Sequence, residues 1–314
     1  MVIDGGLATD VDAVVLLASI TYTLSNTVEN ASLDDSSGDA GLTGNQLNNL
    51  LAGNAGDNAL TGGGGSDTLT GGDGVDTLYA GDGNDTVDGG AGSDLIVGGN
   101  GAGNDVYRGG AGVDTIRYSS ATAGITVNLE TGTARSLSGD AAGIGRDRLS
   151  GIEAVIAGRF NDVITGNSSA NQLSGAEGRD RLIGQAGADQ LNGGAGADTL
   201  TGGAGRDRLT GGDGADVFVF GKITETGKTS TTRDVITDFQ SGIDDIDLQA
   251  IDANTARTGN QAFTFIGSNA FSSTAGELRF AGGVISGDVN GDGRADFQIG
   301  LTGVSALAAG DFIL

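Results

Sequence analysis

Residues 62–97 read GGGGSDTLT GGDGVDTLY AGDGNDTVD GGAGSDLIV, which is four consecutive copies of one nine-residue pattern. Each copy has the form Gly-Gly-x-Gly-x-Asp-x-apolar-x, with Ala80 in place of the first glycine in the third copy. The pattern puts a carboxylate at a fixed position of a repeating backbone. It therefore predicts a ladder of equivalent acidic sites and not a single active site.

The same register extends over two runs of frames. The first run has frames that start at 44, 53, 62, 71, 80, 89, 98 and 109, and the frame at 98 is two residues longer. The second run has frames that start at 157, 166, 175, 184, 193, 202 and 211. The sixth position (the eighth in the long frame) is Asp in twelve of the fifteen frames: Asp67, Asp76, Asp85, Asp94, Asp105, Asp114, Asp162, Asp180, Asp189, Asp198, Asp207 and Asp216. In the other three frames it is Asn: Asn49, Asn58 and Asn171.

The eighth position is apolar in every frame (Tyr107 fills its place in the long frame). A unit that cannot bury its own apolar residue stacks on its neighbours, and a fixed period is the sequence mark of such a solenoid. Glycines permit positive φ, so the first six positions suit a tight turn. Positions 7–9 are rich in Thr, Leu, Val and Ile and suit a short strand with position 8 pointing inward. We therefore expect an all-β chain.

The frame resembles the calcium-binding nonapeptide of the RTX (repeats-in-toxin) family. The resemblance implies a parallel β-roll in which two nonapeptides make one 18-residue turn. It also implies that calcium lies between the turns of frames n and n+2, held by both Asp side chains and by carbonyls of the glycine loop. The implied ligands are the twelve Asp residues above and these glycines at positions 2 and 4: Gly63, Gly65, Gly72, Gly74, Gly81, Gly83, Gly90, Gly92, Gly194, Gly196, Gly203, Gly205, Gly212 and Gly214.

Simple electrostatics supports a metal in such a stack. Asp67 would lie over Asp85, and Asp76 over Asp94, at the strand spacing of about 5 Å. Two carboxylates at that distance repel by roughly 3 kcal/mol at an effective dielectric constant of 20. A divalent cation turns the repulsion into attraction, and ligands that are all hard oxygens favour calcium. The chain has no Cys and no His, which excludes a zinc site of the usual kind. We expect several calcium ions.

The composition limits the classes of partner that the chain can bind. The chain has 314 residues, a formal net charge of −25, 61 glycines and only 4% aromatic residues. Residues 1–107 contain no Lys or Arg against sixteen Asp and Glu, a balance that does not favour nucleic acid or an anionic membrane. No segment is long enough to span a membrane.

Other interpretations of a glycine-rich acidic chain fit less well. A disordered linker does not hold a nine-residue phase, and collagen needs a period of three together with proline. A dinucleotide-binding loop occurs once, beside a βαβ unit, and not fifteen times. Aspartates at position 3, namely Asp73, Asp82 and Asp213, are expected to be solvated charges.

Breaks in the repeat divide the chain. Residues 123–133 (AGITVNLETGT) alternate apolar and polar side chains and predict strands around a turn. We expect two parallel β-rolls joined by a β insertion, with a C-terminal β cap domain. The predicted segments are an atypical β lead-in at 1–43, the first roll at 44–117, the insertion at 118–156, the second roll at 157–220 and the cap at 221–314.

The segment after the second roll is similar to the C-terminal cap of RTX proteins, including the serralysin proteases. The resemblance covers 216–314 and rests on DVFVF (216–220), DVITDF (234–239) and GIDDIDL (242–248). Asp234, Asp238 and Asp247 are candidates either for further calcium ligands or for polar contacts that stabilise the cap. The last residues, Asp311-Phe-Ile-Leu314, resemble the type I secretion signal of this family.

A second kind of acidic loop lies at 288–296, which reads DVNGDGRAD. Oxygen-bearing side chains alternate at Asp288, Asn290 and Asp292, and Asp296 closes the loop. The spacing suits a calcium loop, but Ile299 stands where an EF-hand has its bidentate Glu. A calcium-binding β-hairpin loop and a plain acidic hairpin turn are both open.

These features predict a non-catalytic, calcium-folded module of a secreted bacterial RTX protein, located outside the cell or at its surface. The expected partners are calcium and, through the C-terminus, the type I secretion machinery. Without His the chain cannot supply an HExxH zinc site or a Ser-His-Asp triad, so we expect any catalysis in a missing N-terminal domain. One alternative is a segment of a structural adhesin or surface-layer protein, which could self-associate or bind a surface glycan. Another is the C-terminal domain of a secreted serralysin-like protease, lipase or alginate epimerase.

Overall fold

The computed structural model describes residues 2–3, 12–98, 103–137 and 143–314. The chain forms two compact units, Met1–Phe160 and Asn161–Leu314. The described residues contain strands, turns and two 3₁₀ turns (Asp35–Ser37 and Ala309–Asp311), with no α-helix among them. In this described part, accordingly, no helix is long and apolar enough to cross a membrane. The all-β prediction is confirmed.

Unit 1 is a parallel β-solenoid with two sheets. Its strands, in chain order, are β1 (Val2–Ile3), β2 (Ala13–Leu16), β3 (Thr21–Thr23), β4 (Asn30–Leu33), β5 (Gly41–Thr43), β6 (Leu50–Ala52), β7 (Ala59–Gly64), β8 (Thr68–Asp73), β9 (Thr77–Asp82), β10 (Thr86–Ala91), β11 (Leu95–Val97), β12 (Val106–Ala111), β13 (Thr115–Arg117), β14 (Ile125–Asn128), β15 (Thr133–Ser136), β16 (Arg146–Ser150) and β17 (Ala154–Ile156). One sheet has the order β1-β2-β4-β6-β8-β10-β12-β16-β15-β14, and the other has the order β3-β5-β7-β9-β11-β13-β17.

Unit 2 repeats this architecture. Its strands are β18 (Val163–Thr165), β19 (Gln172–Glu177), β20 (Arg181–Gly187), β21 (Gln190–Ala195), β22 (Thr199–Gly205), β23 (Arg208–Asp213), β24 (Val217–Val219), β25 (Asp234–Ile236), β26 (Asp245–Asp247), β27 (Thr264–Phe265), β28 (Glu277–Ala281), β29 (Val284–Asp288), β30 (Phe297–Leu301) and β31 (Phe312–Ile313). One sheet has the order β18-β20-β22-β24-β26-β31, and the other has the order β19-β21-β23-β25-β30-β29-β28-β27.

The strand register follows the repeat. Leu69 lies opposite Val87, and Leu191 lies opposite Leu209, each pair 18 residues apart on parallel strands. Successive frames alternate between the two sheets of a unit, so two frames make one turn. The eighth-position side chains point between the sheets and form the core, where Leu69 for example is fully buried. This is the RTX β-roll that the resemblance implies.

The strands are longer than the sequence predicts. Strands β8 and β10 continue from positions 7–9 into the first three positions of the next frame, so the bend is confined to positions 4–6. Gly72, at position 2, has φ +119° and still pairs with the next turn. At position 4, Gly92 has φ +138°, and a Cβ atom there would meet the carbonyl of Gly74 in the turn before. Close stacking therefore requires glycine at residue 92.

Residues outside the frames extend the sheets. In unit 1 the insertion contributes the antiparallel hairpin β14–β15, and β16 continues in parallel on β12. In unit 2, β25 and β26 continue the two sheets beyond the last frame, and the antiparallel strands β28, β29 and β30 follow on one of them. The division into five segments stays a prediction.

Candidate metal centres

The sixth-position aspartates form stacks within each roll. The backbone N–H of Asp67 donates to Oδ1 of Asp85 (2.8 Å), and that of Asp76 donates to Oδ1 of Asp94 (2.8 Å). In the second roll the N–H of Asp180 donates to Oδ1 of Asp198 in the same way (2.7 Å). Each carboxylate thus ties its own turn to the previous one through a single oxygen, and the expected stacking is present.

The other carboxylate oxygen of these residues has no partner. In ten of the twelve frames Oδ2 is buried and accepts no hydrogen bond: Asp67, Asp76, Asp85, Asp94, Asp114, Asp180, Asp189, Asp198, Asp207 and Asp216. These ten side chains are at most 2% exposed. A buried anionic oxygen without a donor is unfavourable unless a cation neutralises it. The donor set therefore fits a hard divalent cation.

Main-chain oxygens surround this position. A Cβ atom on Gly71 would meet both Oδ2 of Asp76 and the carbonyl of Gly89, so the first-position backbone lies directly against the carboxylate. The carbonyls of the predicted ligands at positions 2 and 4 point along the stack, as those of Gly72 and Gly74 do toward the next turn. No cluster of three or more His, Cys, Asp or Glu side chains that could hold a metal occurs in the part of the chain described. The carboxylate and carbonyl oxygens that meet here are the hard oxygen ligands that calcium commonly takes.

Burial raises the pKa of the aspartates in the ladder. It raises the pKa of Asp67, Asp76 and Asp85 to about 6 and that of Asp180 and Asp189 to about 7. The hydrogen bond from the preceding turn offsets part of the shift, and nearby aspartates add to it at all of these residues except Asp67. Without a cation, the folded ladder therefore binds protons at a pH where the unfolded chain has released them.

Two tyrosines close the stack at the end of the first run. The hydroxyl of Tyr107 donates to Oδ2 of Asp105 (2.8 Å), and that of Tyr118 donates to Oδ2 of Asp147 (2.9 Å). The N–H of Asp105 donates to Oδ1 of Asp147 (3.1 Å), which continues the ladder. Burial raises the pKa of Asp147 to about 8 and the pKa of Tyr118 well above its usual value. The predicted ligand Asp105 thus lies in the stack, but a phenol occupies its second oxygen.

Acidic partners outside the nine-residue frames continue the ladder in unit 2, and the period did not reveal them. The N–H of Asp207 donates to Oδ1 of Asp234 (2.8 Å), and that of Asp216 donates to Oδ1 of Asp244 (3.0 Å). Asp234 is fully buried with Oδ2 unpartnered, and burial raises its pKa to about 8. Asp234 was a candidate from the sequence, whereas Asp244 was missed.

The ladder aspartates outside the frames share a weaker signal. Asp234, Asp244 and Asp147 each stand two residues before a buried apolar side chain, as in Asp244-Asp-Ile246. The same Asp-x-apolar order links positions 6 and 8 of the frame. A search for this order without the glycines would have found all three.

Asp238 and Asp247 make contacts of a different kind. Asp238 accepts the N–H groups of Gly211 (3.0 Å) and Gly212 (2.8 Å) through its two oxygens. Asp247 accepts the N–H of Gln249 (2.9 Å). Both hydrogen-bond sets correspond to polar contacts that stabilise the cap, and a metal role for either residue stays a prediction.

The acidic loop at 288–296 connects the hairpin strands β29 and β30. Asp288 is fully buried and accepts the N–H groups of Gly291 (2.7 Å) and Gly293 (2.8 Å). Asn290 and Asp292 each accept the N–H two residues on. Asp296 accepts from Val289 N–H (2.9 Å) and from Lys228 Nζ (3.2 Å). The loop closes with its own donors, and calcium binding there stays a prediction.

The C-terminal residues are part of the fold. Strand β31 pairs in parallel with β26. Asp311 is 1% exposed and accepts from the N–H of Gly242 (2.7 Å), the hydroxyl of Ser241 (2.8 Å) and the N–H of Ala308 (2.7 Å). The expected secretion signal is therefore docked on unit 2.

Comparisons with known families agree with this geometry. Residues 106–314 match the family model described as "Peptidase M10 serralysin C terminal". Residues 43–78, 70–102 and 79–116 match the model of the RTX calcium-binding nonapeptide repeat (4 copies). No curated protein matches the chain.

Two solved structures are similar to part of the chain. The AlgE6R2 subunit from the Azotobacter vinelandii mannuronan C5-epimerase has 32% identity, over 48% of this chain and 91% of that chain, with a TM-score of 0.35. The AlgE6R3 subunit from the same organism's mannuronan C5-epimerase has 25% identity, over 49% of this chain and 78% of that chain, with a TM-score of 0.25.

Proposed function

Because this chain belongs to the serralysin C-terminal family and carries RTX calcium-binding repeats, we propose that it is a non-catalytic calcium-binding module of a secreted bacterial protein. The module is disordered without calcium and folds when calcium fills the ladder outside the cell. The observation that carries the proposal is the set of ten buried, in-phase Oδ2 atoms that have no hydrogen-bond partner.

The dependence of folding on calcium follows from the high net charge of the chain and its small apolar core. The chain has a net charge of −25 and few aromatic residues, so self-repulsion is large and the apolar core is thin. Calcium at about 10⁻³ M, acting on a site with a Kd of about 10⁻⁴ M, stabilises the folded state by roughly 1.4 kcal/mol. Five such sites supply about 7 kcal/mol, which is comparable to the net stability of a typical domain. Calcium can therefore decide whether the chain folds.

Export benefits from the same switch. An extended chain passes a narrow secretion channel, and folding outside prevents its return and stabilises whatever precedes it. We propose that the C-terminal Asp-Phe-Ile-Leu is read by the type I secretion machinery while the chain is unfolded. The support is the sequence of this terminus and its position after the repeats and the cap.

Circular dichroism of the full chain in calcium, in magnesium and in chelator tests the proposal. We expect β content in millimolar calcium and its loss in chelator. Magnesium is the control, because its stricter octahedral geometry does not suit a shell made mainly of carbonyl oxygens. Equal β content in all three conditions would contradict the proposal.

A second candidate is favoured by the match of residues 106–314 to the serralysin C-terminal domain. The chain would then be the C-terminal part of a secreted protease whose catalysis resides in another domain. Peptidase, lipase and epimerase assays on this chain alone are expected to show no turnover, because it has no His for a zinc site or a triad. Turnover abolished by one point substitution would refute the non-catalytic assignment.

A further inference from the structure

The three frames that lack the sixth-position Asp also lack the second-position Gly. Each has Asn at both positions: Asn45 with Asn49, Asn54 with Asn58, and Asn167 with Asn171. No other frame has Asn at either position. The two replacements therefore occur together, which indicates a joint role.

The sixth-position Asn closes its own loop through Oδ1, and Nδ2 of Asn49 also donates to the carbonyls of Val28 (3.2 Å) and Glu29 (3.0 Å) in the turn before. Oδ1 of Asn49 accepts the N–H of Asn45 (2.8 Å), and Oδ1 of Asn58 accepts the N–H of Asn54 (2.8 Å). Asn171 accepts from the second position of its own frame in the same way. In an Asp frame Oδ1 accepts from the previous turn, and Oδ2 remains open for a cation. In an Asn frame the charge is absent and the acceptor is used within the loop.

The second-position Asn provides the donors that bind the previous turn. Nδ2 of Asn45 donates to the carbonyls of Ser25 and Val28 (both 2.7 Å). Nδ2 of Asn54 donates to the carbonyl of Asp34 (2.9 Å) and to Oγ of Ser37 (2.9 Å). Amide N–H groups thus satisfy main-chain oxygens between turns, the task that a cation would perform in an Asp frame.

The frames of Asn45 and Asn54 lie in a stack that contains no buried pair of acidic side chains. Strands β4–β6 and β3–β5–β7 pair in parallel, and Leu24, Leu42, Leu51 and Leu60 between them are at most 3% exposed. Within residues 21–64 no carboxylate oxygen is buried without a partner, and the nearest such atoms are Oδ1 of Asp12 before this stretch and Oδ2 of Asp67 after it. The repulsion that calcium must relieve elsewhere is therefore absent here.

The same frames present donors to the first aspartates of the ladder. The N–H of Asn49 donates to Oδ1 of Asp67, and the N–H of Asn58 donates to Oδ1 of Asp76 (both 2.7 Å). A preformed Asn stack therefore offers each of the two Asp columns a fixed point of attachment.

We propose that the Asn pair at positions 2 and 6 determines which turns do without calcium, and that residues 21–64 form a calcium-independent stack on which the calcium turns of the first roll assemble. The inference rests on the proposed function, because it assumes that the Asp turns need the ion, and it confines the calcium-free disorder to those turns. It assigns the pairs Asn45/Asn49 and Asn54/Asn58 to the first two frames of the first run, and Asn167/Asn171 to the second frame of the second run.

Hydrogen exchange of the full chain in calcium and in chelator tests the inference. In chelator, we expect the amides of Asn45 and Asn54 to exchange at least about tenfold more slowly than those of Asp76 and Asp85. Uniform loss of protection in chelator would overturn this inference and leave the calcium switch intact. Uniform protection in chelator would instead overturn the calcium switch.

A variant pair isolates the role of the amides. The double substitution Asn45→Gly with Asn49→Asp converts the frame to the Gly/Asp form. We expect it to bind one more calcium by titration calorimetry and to lose protection of 21–64 in chelator. Asn48→Asp is the matched control, since it adds the same charge at an exposed neighbouring position and should change neither readout. A double variant that gains no ion and keeps its protection would refute the assignment, and if it fails to fold, wild-type exchange decides.

Discussion

Replacing Asp189 by Asn separates the two properties of a ladder carboxylate, which is a buried charge and, in the proposed function, a calcium ligand. Asn has nearly the same shape as Asp, and its Oδ1 can still accept the N–H of Asn171. In the wild-type protein that N–H lies 2.7 Å from Asp189 Oδ1. The change removes the charge from the unpartnered Oδ2. We therefore expect Asp189→Asn to weaken calcium binding but to stabilise the calcium-free fold.

The magnitude follows from the pKa. Burial, with a smaller effect of Asp207, raises the pKa of Asp189 to about 7 from 3.8 in the unfolded chain. A raised acid pKa destabilises the fold progressively as the pH rises above about 4, and the full effect is present above about 7. A shift of about three units corresponds to roughly 4 kcal/mol, which solvent screening reduces to about 2 kcal/mol. The new buried amide N–H₂ lacks an acceptor and costs about 1 kcal/mol, so the net gain is about 1 kcal/mol at pH 7.5.

An osmolyte titration in chelator measures this gain, because trimethylamine N-oxide drives a marginal chain to fold. At pH 7.5 we expect Asp189→Asn to fold at a lower osmolyte concentration than wild type, and at pH 4 the advantage should vanish. In calcium the order should reverse, with a higher calcium midpoint for the variant. Asp213→Asn is the matched control, since it removes the same charge from an exposed third position. The reasoning fails if the variant is less stable in chelator at both pH values, or if the control reproduces its effect.

Three further predictions concern the roll. In a urea titration, Gly92→Ala should destabilise the calcium-bound fold by at least about 3 kcal/mol, because its Cβ would meet the Gly74 carbonyl at positive φ. The control Gly242→Ala has positive φ but open space around the new Cβ, and should cost only about 1 kcal/mol. Leu191→Ala removes a core side chain that is 1% exposed and should cost about 2–5 kcal/mol, whereas Ile243→Ala, at a position 52% exposed, should change the urea midpoint by less than about 0.5 kcal/mol. The calcium affinity of a ladder site should fall about tenfold from pH 7.5 to pH 5, because a carboxyl with a pKa of about 6 is mostly protonated at pH 5; calorimetry that shows no pH dependence would contradict the raised pKa.

The roll could be predicted from the sequence because one local rule acts in every frame. An apolar residue at position 8 cannot be buried within nine residues, so the frames must stack, and stacking fixes which aspartates meet. The pairing of Asp67 with Asp85 is then a consequence of the period alone. The predicted strand length was wrong. A propensity argument assigns Gly72 to the turn because it has positive φ, but Gly72 keeps its pairing with the neighbouring parallel strand.

The ends of the ladder could not be predicted in the same way. Asp147 follows Asp105 by 42 residues and Asp234 follows Asp207 by 27, because folded segments of other lengths intervene before the next turn. A fixed spacing says nothing about such partners. The phenols of Tyr107 and Tyr118 were equally hidden. Position 8, where Tyr107 stands, requires only an apolar body, Tyr118 lies after the last frame of the first run, and each hydroxyl acquires its partner through packing.

Three kinds of group therefore meet the same electrostatic demand within the rolls: a tyrosine hydroxyl, an asparagine amide and, in the proposed function, a calcium ion. In some turns the buried carboxylate oxygen accepts a hydrogen bond from a tyrosine hydroxyl, and in others an asparagine amide replaces the carboxylate. In both cases a side chain of the protein supplies the hydrogen bond. Where Oδ2 is left open, Oδ1 still accepts the backbone N–H of the previous turn, at 2.7 Å for Asp67 and 2.8 Å for Asp85. What differs is the charge that the turn buries. In the proposed function, the calcium requirement of this roll is thus a property of its electrostatics, and we propose that the residue at position 6, together with its partner at position 2, sets that requirement turn by turn.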